Sequence, residues 1–313
     1  MTGPSKSYKK VFYDLRPGKQ VERRMIMDAL GRLMNGGIPI RDYQYTGLGS
    51  IYFVDFILLY KLLGLRWFLN VEYDTAITNR VAFNKPFEPI EIRMAPISDV
   101  IPDLDPNRRH LIWLDYDDRL TNDILLDVSA AANHLSAKSI MLVTVDVESP
   151  REAGTPDARA EYVQEQAGAF LPFDFDVDWC TRSRYPATNL AIIANAIATG
   201  LAVRSAKFLP LFRFVYADGH EMVTLGGMIG DTVVEQRIDA CDWSEAWYLR
   251  RADDADPYRI QVPRLTRRER LLLDQNMPGD PSWRPRRFEL SKEELAAYRE
   301  IHRFYPLYGE LLA

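Results

Sequence analysis

The stretch YTGLGSIYF, Tyr45 to Phe53, sets the reading of the whole chain. A short β-prone segment runs into Gly47 and Gly49, and an apolar helical run follows them. A strand that turns through glycine into a helix lets a ligand approach bare backbone, with the first N–H groups of the helix aimed at it. Glu72 lies 23 residues beyond Gly49, at the end of the next apolar run, RWFLNVEYD. A carboxylate so placed accepts hydrogen bonds from ribose hydroxyls. The two features together predict a nucleoside-containing cofactor. Taken alone, the glycine pair also fits an ordinary turn between a strand and a helix.

Working outward, Gln20 to Met34 reads as an amphipathic helix with Val21, Met25, Ala29 and Leu33 on one face, stopped at Gly36 and Gly37. Tyr43–Thr46 is a short strand and Ile51–Leu63 a helix ended by Gly64. Trp67–Tyr73 is a nearly continuous apolar strand, as in the middle of a parallel sheet. A short helix over Thr75–Phe83, strands at Ile90–Met94 and His110–Tyr116, a helix over Asn122–Leu135 and a strand at Ser139–Val147 follow. Such alternation predicts an α/β, doubly wound, mostly parallel sheet. After a helix over Asn189–Ser205 come two β-prone runs, Leu211–Tyr216 and Glu221–Leu225, joined by Ala217-Asp218-Gly219-His220. Asp-Gly between β runs signals a hairpin.

A parallel sheet that ends in an antiparallel hairpin resembles the class I S-adenosylmethionine-dependent methyltransferases, whose seven-stranded sheet has its last strand inserted antiparallel. The resemblance spans roughly residues 20–230. It implies S-adenosylmethionine as cofactor, with Gly47, Gly49 and Ser50 forming the loop against its methionine part and Glu72 holding the ribose hydroxyls. Tyr73 and Ile97 would flank the adenine, and Ser98 or Asp99 would reach its amine. Asp115, followed by Tyr116 and Asp117, falls where the family carries its catalytic motif. Asp42 is a loose counterpart of the acid that precedes the family's glycine loop. Amino-methylating members show Asp-Pro-Pro-Tyr or Asn-Pro-Pro-Tyr after the fourth strand. Here the tetrad is Asp115-Tyr116-Asp117-Asp118, so the resemblance does not extend to an exocyclic-amine acceptor.

Carboxylates at the carboxyl edge of a parallel sheet face the crevice where ligands bind, which makes Asp115 the candidate for positioning the acceptor and taking its proton. Asp117 and Asp118 also fit a cap or a solvated turn before Asn122. Asp146 and Glu148 end the next strand and would suit a hard cation, but acids at strand ends are mostly solvated, and no metal is expected. His110, His134, His220 and His302 are scattered. Phe83-Asn84-Lys85-Pro86-Phe87 reads either as a cover for the adenine or acceptor or as a plug at the core's edge. Arg23 and Arg24 read as solvated or salt-bridged.

With 47% hydrophobic and 27% charged residues the chain is ordinary for a globular protein. A net charge of −5 argues against wholesale nucleic-acid binding, leaving room for a local basic face. Cys180 and Cys241 support neither a zinc site nor a disulfide framework, and the start, MTGPSKSYKK, carries no apolar core of a secretion signal, so a cytoplasmic protein is expected. Leu190–Val203 is too short to span a bilayer.

Residues 149–188, rich in proline, read as an insertion at the cleft, within a domain of residues 1–249. Residues 250–313 read as a mainly helical appendage opening its last helix at the capping box Ser291-x-x-Glu294. Eight arginines lie between Arg259 and Arg287, with Tyr258 and Trp283 among them, a composition suited to RNA or DNA. Three of them, Arg267, Arg268 and Arg270, equally fit the exposed face of a helix. The sequence therefore predicts a methyltransferase with nucleic acid, RNA above all, as the favoured acceptor. O-methylation of a small molecule or protein, a non-catalytic module keeping the fold and an NAD(P)-dependent oxidoreductase are the alternatives. For the last, the third fingerprint glycine would fall at Tyr52, where a bulky side chain hinders helix–strand packing.

Overall fold

The computed structural model describes residues 16–49, 51–251 and 256–306. A single eight-stranded sheet organises them, in the order β3-β2-β1-β4-β5-β7-β6-β8. The strands are β1 (Gln44–Leu48), β2 (Trp67–Glu72), β3 (Ile90–Met94), β4 (His110–Arg119), β5 (Ile140–Asp146), β6 (Lys207–Ala217), β7 (Glu221–Gly230) and β8 (Tyr258–Arg259). Neighbours pair in parallel except around β7, which lies antiparallel between β5 and β6. This is the expected seven-stranded arrangement with its inserted antiparallel strand, extended by the two residues of β8 from the C-terminal region.

The helices are α1 (Pro17–Asn35), α2 (Val54–Leu58), α3 (Thr78–Asn84), α4 (Ile97–Val100), α5 (Asn122–His134), α6 (Pro156–Ala167), α7 (Tyr185–Leu201), α8 (Thr232–Asp239), α9 (Arg267–Asp274) and α10 (Lys292–Ile301). Side chains alternate across the sheet, as period two requires. On β4, Leu111 and Trp113 enter a core shared with α1, α2 and α8, whereas Ile112 and Leu114 enter one shared with α5, α6 and α7. Two filled faces explain why β2, β4 and β5 read as apolar runs.

Several elements differ from expectation for local reasons. The helix foreseen over Ile51–Leu63 is five residues of α-helix followed by a π-helical turn, Leu59–Leu63, closed by Gly64 at φ 70°. Neither Asp117 nor Asp118 caps α5. β4 runs on to Arg119, and Thr121 accepts from the Ile124 N–H instead. The proline-rich segment 149–188 contains regular structure, since Thr155 caps α6 and Pro156 opens it. Arg159 on that helix is buried and donates to the carbonyls of Cys180, Ala153 and Gly154. In the C-terminal region the Thr266/Glu269 and Ser291/Glu294 capping boxes open α9 and α10. Leu273, Leu295 and Tyr298 form a small core of their own, while Ile301 and Phe304 join the main one. Cys180 and Cys241 are free thiols. No described helix is long and apolar enough to cross a membrane.

Candidate active site

The carboxyl ends of β1, β2 and β4 converge on a cavity of about 270 Å³. Its wall begins at Leu48 and Gly49. The Gly49 N–H still reaches the Val71 carbonyl at 3.0 Å, so the chain leaves the sheet only after Gly49. Gly47 sits one step back, inside β1 opposite Asn70 and Trp113, and does not line the cavity. Its glycine requirement is local packing, since a Cβ there would lie 2.6 Å from the Tyr45 hydroxyl. Ser50 lies outside the described residues. Phe53, which caps α2, adopts a left-handed φ of 51° with its ring buried against Phe56. A non-glycine residue held there stores backbone strain, and here it does so at the cavity wall.

Glu72 ends β2, and its Oε1 accepts from the Asp74 N–H at 2.9 Å, which orients the carboxylate. Burial raises the pKa of Glu72, against the hydrogen bonds it accepts. Tyr73, Ile97 and Ser98 line the same cavity, with Ile97 buried and Tyr73 half exposed. Asp99 does not line it; its Oδ1 instead faces the Ser98 hydroxyl at 3.3 Å. Asp127 on α5 takes a place at this wall and accepts from the Tyr116 hydroxyl at 2.9 Å. Asp42 sits in a 3₁₀ turn before β1, at the end of the strand away from the cavity. Phe83 is 87% exposed and covers nothing, while Phe87 stacks on Tyr60 with ring centres 4.2 Å apart, as the plug reading has it.

Asp115 lies on the far wall, its side chain 19% exposed. Lys19 of α1, fully buried, donates to Asp115 Oδ1 at 2.8 Å and lies 3.0 Å from Glu22 Oε2. Its ammonium also rests 4.5 Å from the Trp113 ring centre. Burial alone would raise the Asp115 pKa, but Lys19 in contact, with Arg23 and Arg16 nearby, holds it below the ordinary carboxylate range. Burial raises the pKa of Glu22, whose Oε1 accepts from Thr224. Thr224 pairs with Thr144 at 2.7 Å, and Thr144 accepts from the Trp113 indole at 3.0 Å. A buried network thus runs from the middle of the sheet to Asp115. Asp117 pairs with Arg16 at 3.6 Å on the cavity rim.

Nothing in the spacing of the glycine loop singles out α1, yet α1 supplies these charges. The signal was available. Lys19, Glu22, Ile26, Leu30 and Leu33 follow helical spacing, so two charges interrupt a core-facing row. Arg23 is not solvated. It is buried, its Nε bonds Asp55 Oδ1 at 2.5 Å, and both residues line the cavity. Arg24 donates to the Tyr305 carbonyl.

The second strand-end pair lies elsewhere. Asp146 accepts from the Glu148 N–H and faces His220 Nδ1 at 2.9 Å, next to the 149–188 segment. It does not converge with Asp115 on a shared cation site. Among the described residues, no group of three or more His, Cys, Asp or Glu side chains is arranged to hold a metal.

A protein family described as "Putative O-methyltransferase" matches residues 11–313. The chain belongs to this family. For such an enzyme the sequence resemblance implies S-adenosylmethionine as the methyl donor. Solved structures of similar fold include Trm1 from Pyrococcus horikoshii in complex with S-adenosyl-L-methionine, 14% identical, TM-score 0.48, over 76% of this chain and 60% of that one. Others are the O-methyltransferase TomG from Streptomyces achromogenes (16% identical, TM-score 0.36, 65% and 78% covered) and the Methanococcus jannaschii fibrillarin pre-rRNA processing protein (11%, 0.36, 61% and 68%). The chain thus spans less than two thirds of the length of Trm1. No curated protein matches the chain.

The residues lining the cavity fit the cofactor. Glu72 offers carboxylate oxygens to hydroxyls, Ile97, Pro96 and Ile77 offer apolar surface to a base, and bare backbone at Gly49 allows close approach.

Proposed function

We propose that this protein transfers the methyl group of S-adenosylmethionine to a hydroxyl oxygen of a small acceptor, with Asp115 taking the hydroxyl proton. The observation that carries this reading is the Asp115 carboxylate, held ionised by Lys19 and opening into the same cavity as Glu72. The cofactor supplies an electrophilic methyl on a sulfonium. The protein's share is to align the acceptor oxygen and remove its proton as the methyl moves. A carboxylate below the ordinary pKa range is ionised at neutral pH but weakly basic, so it orients the hydroxyl and takes its proton only as the O–CH3 bond forms and that proton becomes acidic. Tyr116, tied to Asp127, shapes the wall, and Asp117, tied to Arg16, shapes the rim.

Charge supports a small acceptor that is not a polyanion. Among the described residues, seven carboxylates line the cavity against one arginine, whose Nε is paired with Asp55. Phosphodiester oxygens entering there would meet repulsion. The family's description as O-methyltransferases supports oxygen as the atom methylated.

A second reading, a nucleic-acid acceptor, is favoured by the exposed side chains of Arg264, Arg267, Arg268, Arg284, Arg286 and Arg287. Against it, β8 and the C-terminal region join the sheet at the β6 edge, four strands from β1. Tyr258, foreseen as a base-contacting ring, is buried, and Trp283 packs on the small C-terminal core.

Incubating extract fractions with methyl-labelled S-adenosylmethionine separates the two. Label in the small-molecule pool that withstands mild alkali, and that disappears with Asp115→Asn, supports the first reading. Label in RNA or DNA overturns it.

A further inference from the structure

Arg23 stands apart in the cavity as the one cation among its described lining residues. It is 3% exposed. Its Nε is committed to Asp55, but its Nη1 is buried with no hydrogen-bond partner. A buried guanidinium with an unmade bond is costly, because the desolvation of that N–H is not offset. Such a donor at a cavity wall calls for an anionic partner from the cavity itself.

Asp55 sits beside it on α2, its side chain 16% exposed, and lines the cavity too. The pair therefore presents a positive and a negative group side by side. That pattern complements a zwitterion, with carboxylate to guanidinium and ammonium to carboxylate. Asp55 lies on α2, which follows β1 and the glycine turn, so the pair belongs to the β1–α2 side of the cavity, whereas Glu72 and Ile97 follow β2 and β3. On the S-adenosylmethionine reading above, on which this step rests, the nucleoside occupies the Glu72 side. Its α-amino-acid end then falls where the Arg23–Asp55 pair lies.

We infer that Arg23 and Asp55 are the binding site for the α-amino-acid group of the cofactor, Arg23 taking the carboxylate and Asp55 the ammonium. Two helices, α1 and α2, are thereby joined through the ligand. The arrangement also selects the full cofactor over nucleosides that lack the amino-acid end, since these leave the Arg23 N–H buried and unpaired.

Calorimetry with two ligands tests this without knowledge of the acceptor. S-adenosylhomocysteine carries the amino-acid end, and 5′-methylthioadenosine lacks it. Arg23→Met is expected to weaken S-adenosylhomocysteine by about 10- to 100-fold while leaving methylthioadenosine unchanged. Equal loss of both ligands, as general damage to the fold would give, or no loss of either, overturns the inference. Should Arg23→Met fail to fold, the wild-type protein serves with decarboxylated S-adenosylmethionine, expected to bind at least about tenfold more weakly than S-adenosylmethionine. Equal affinity contradicts the role of Arg23. Failure of the wild type to bind any of these nucleosides refutes the cofactor site itself, and this inference with it. Methylthioadenosine binding as tightly as S-adenosylhomocysteine refutes only the inference.

Discussion

Gly49 and Asn70 compete for the same volume: a Cβ on Gly49 would lie 1.4 Å from Asn70 Oδ1. Asn70 is wholly buried on β2, and both polar atoms of its amide lack a partner. The glycine is therefore required by the neighbouring strand as much as by a ligand. Gly49→Ala is expected to cost about 1–3 kcal/mol of stability, as overpacking does. Urea unfolding measures it. Asn70→Ala in the same chain removes the collision and should recover most of the loss; no recovery would place the strain elsewhere.

As the ribose acceptor of the proposed site, Glu72 should govern cofactor affinity and its pH dependence. Glu72→Ala should weaken S-adenosylmethionine by about 1–3 kcal/mol, since ribose hydroxyls lose their acceptor. Burial raises the folded-state pKa of Glu72, so the ionised acceptor is fully present only above that raised value. Affinity should fall as pH drops through it, beginning above the ordinary glutamate value of about 4.3. Calorimetry across pH checks this, and Glu72→Gln should flatten the dependence.

Lys19 sits between two carboxylates, so its loss leaves Glu22 and Asp115 facing each other without a counter-charge. Lys19→Met is expected to destabilise the fold by about 3–5 kcal/mol. Adding Glu22→Gln should recover part of that in a double-mutant cycle. The pH sign follows from Asp115. Its pKa is depressed in the folded state, so its contribution to stability is present above the unfolded value and is lost as pH falls through the lower, folded one. In Lys19→Met this contribution should vanish, and chemical denaturation at acid and neutral pH will show it.

The exposed arginines offer a direct check on the nucleic-acid reading. Replacing Arg284, Arg286 and Arg287 by alanine should leave S-adenosylmethionine binding unchanged. If RNA is the acceptor, RNA affinity and its salt slope should both drop, the slope by about one unit for each phosphate no longer neutralised. Filter binding at two salt concentrations reads both.

The order of strands was legible because β2, β4 and β5 are covered on both faces and so read as unbroken apolar runs. Asp218-Gly219 announced the hairpin; less visibly, Asp218 also caps α1, accepting from the N–H groups of Gly18 and Lys19 at 2.8 Å. Glu72 and Asp115 could be brought to the cavity from the sequence because each closes a clear apolar run, although β4 continues past Asp115 to Arg119. Arg23, Asp55 and Asp127 could not, since they reach the cavity from helices, where a charged residue ordinarily reads as solvated. The π-helical turn after α2 also left no mark, its residues Leu59–Leu63 being as apolar as an α-helix would need.

The most direct test of the account is a crystal structure of the protein with S-adenosylhomocysteine. The account predicts the ribose on Glu72, the sulfur facing the side of Asp115, and the amino-acid end against Arg23 and Asp55. A nucleoside bound away from the carboxyl ends of β1, β2 and β4, or with its ribose turned from Glu72, would contradict it.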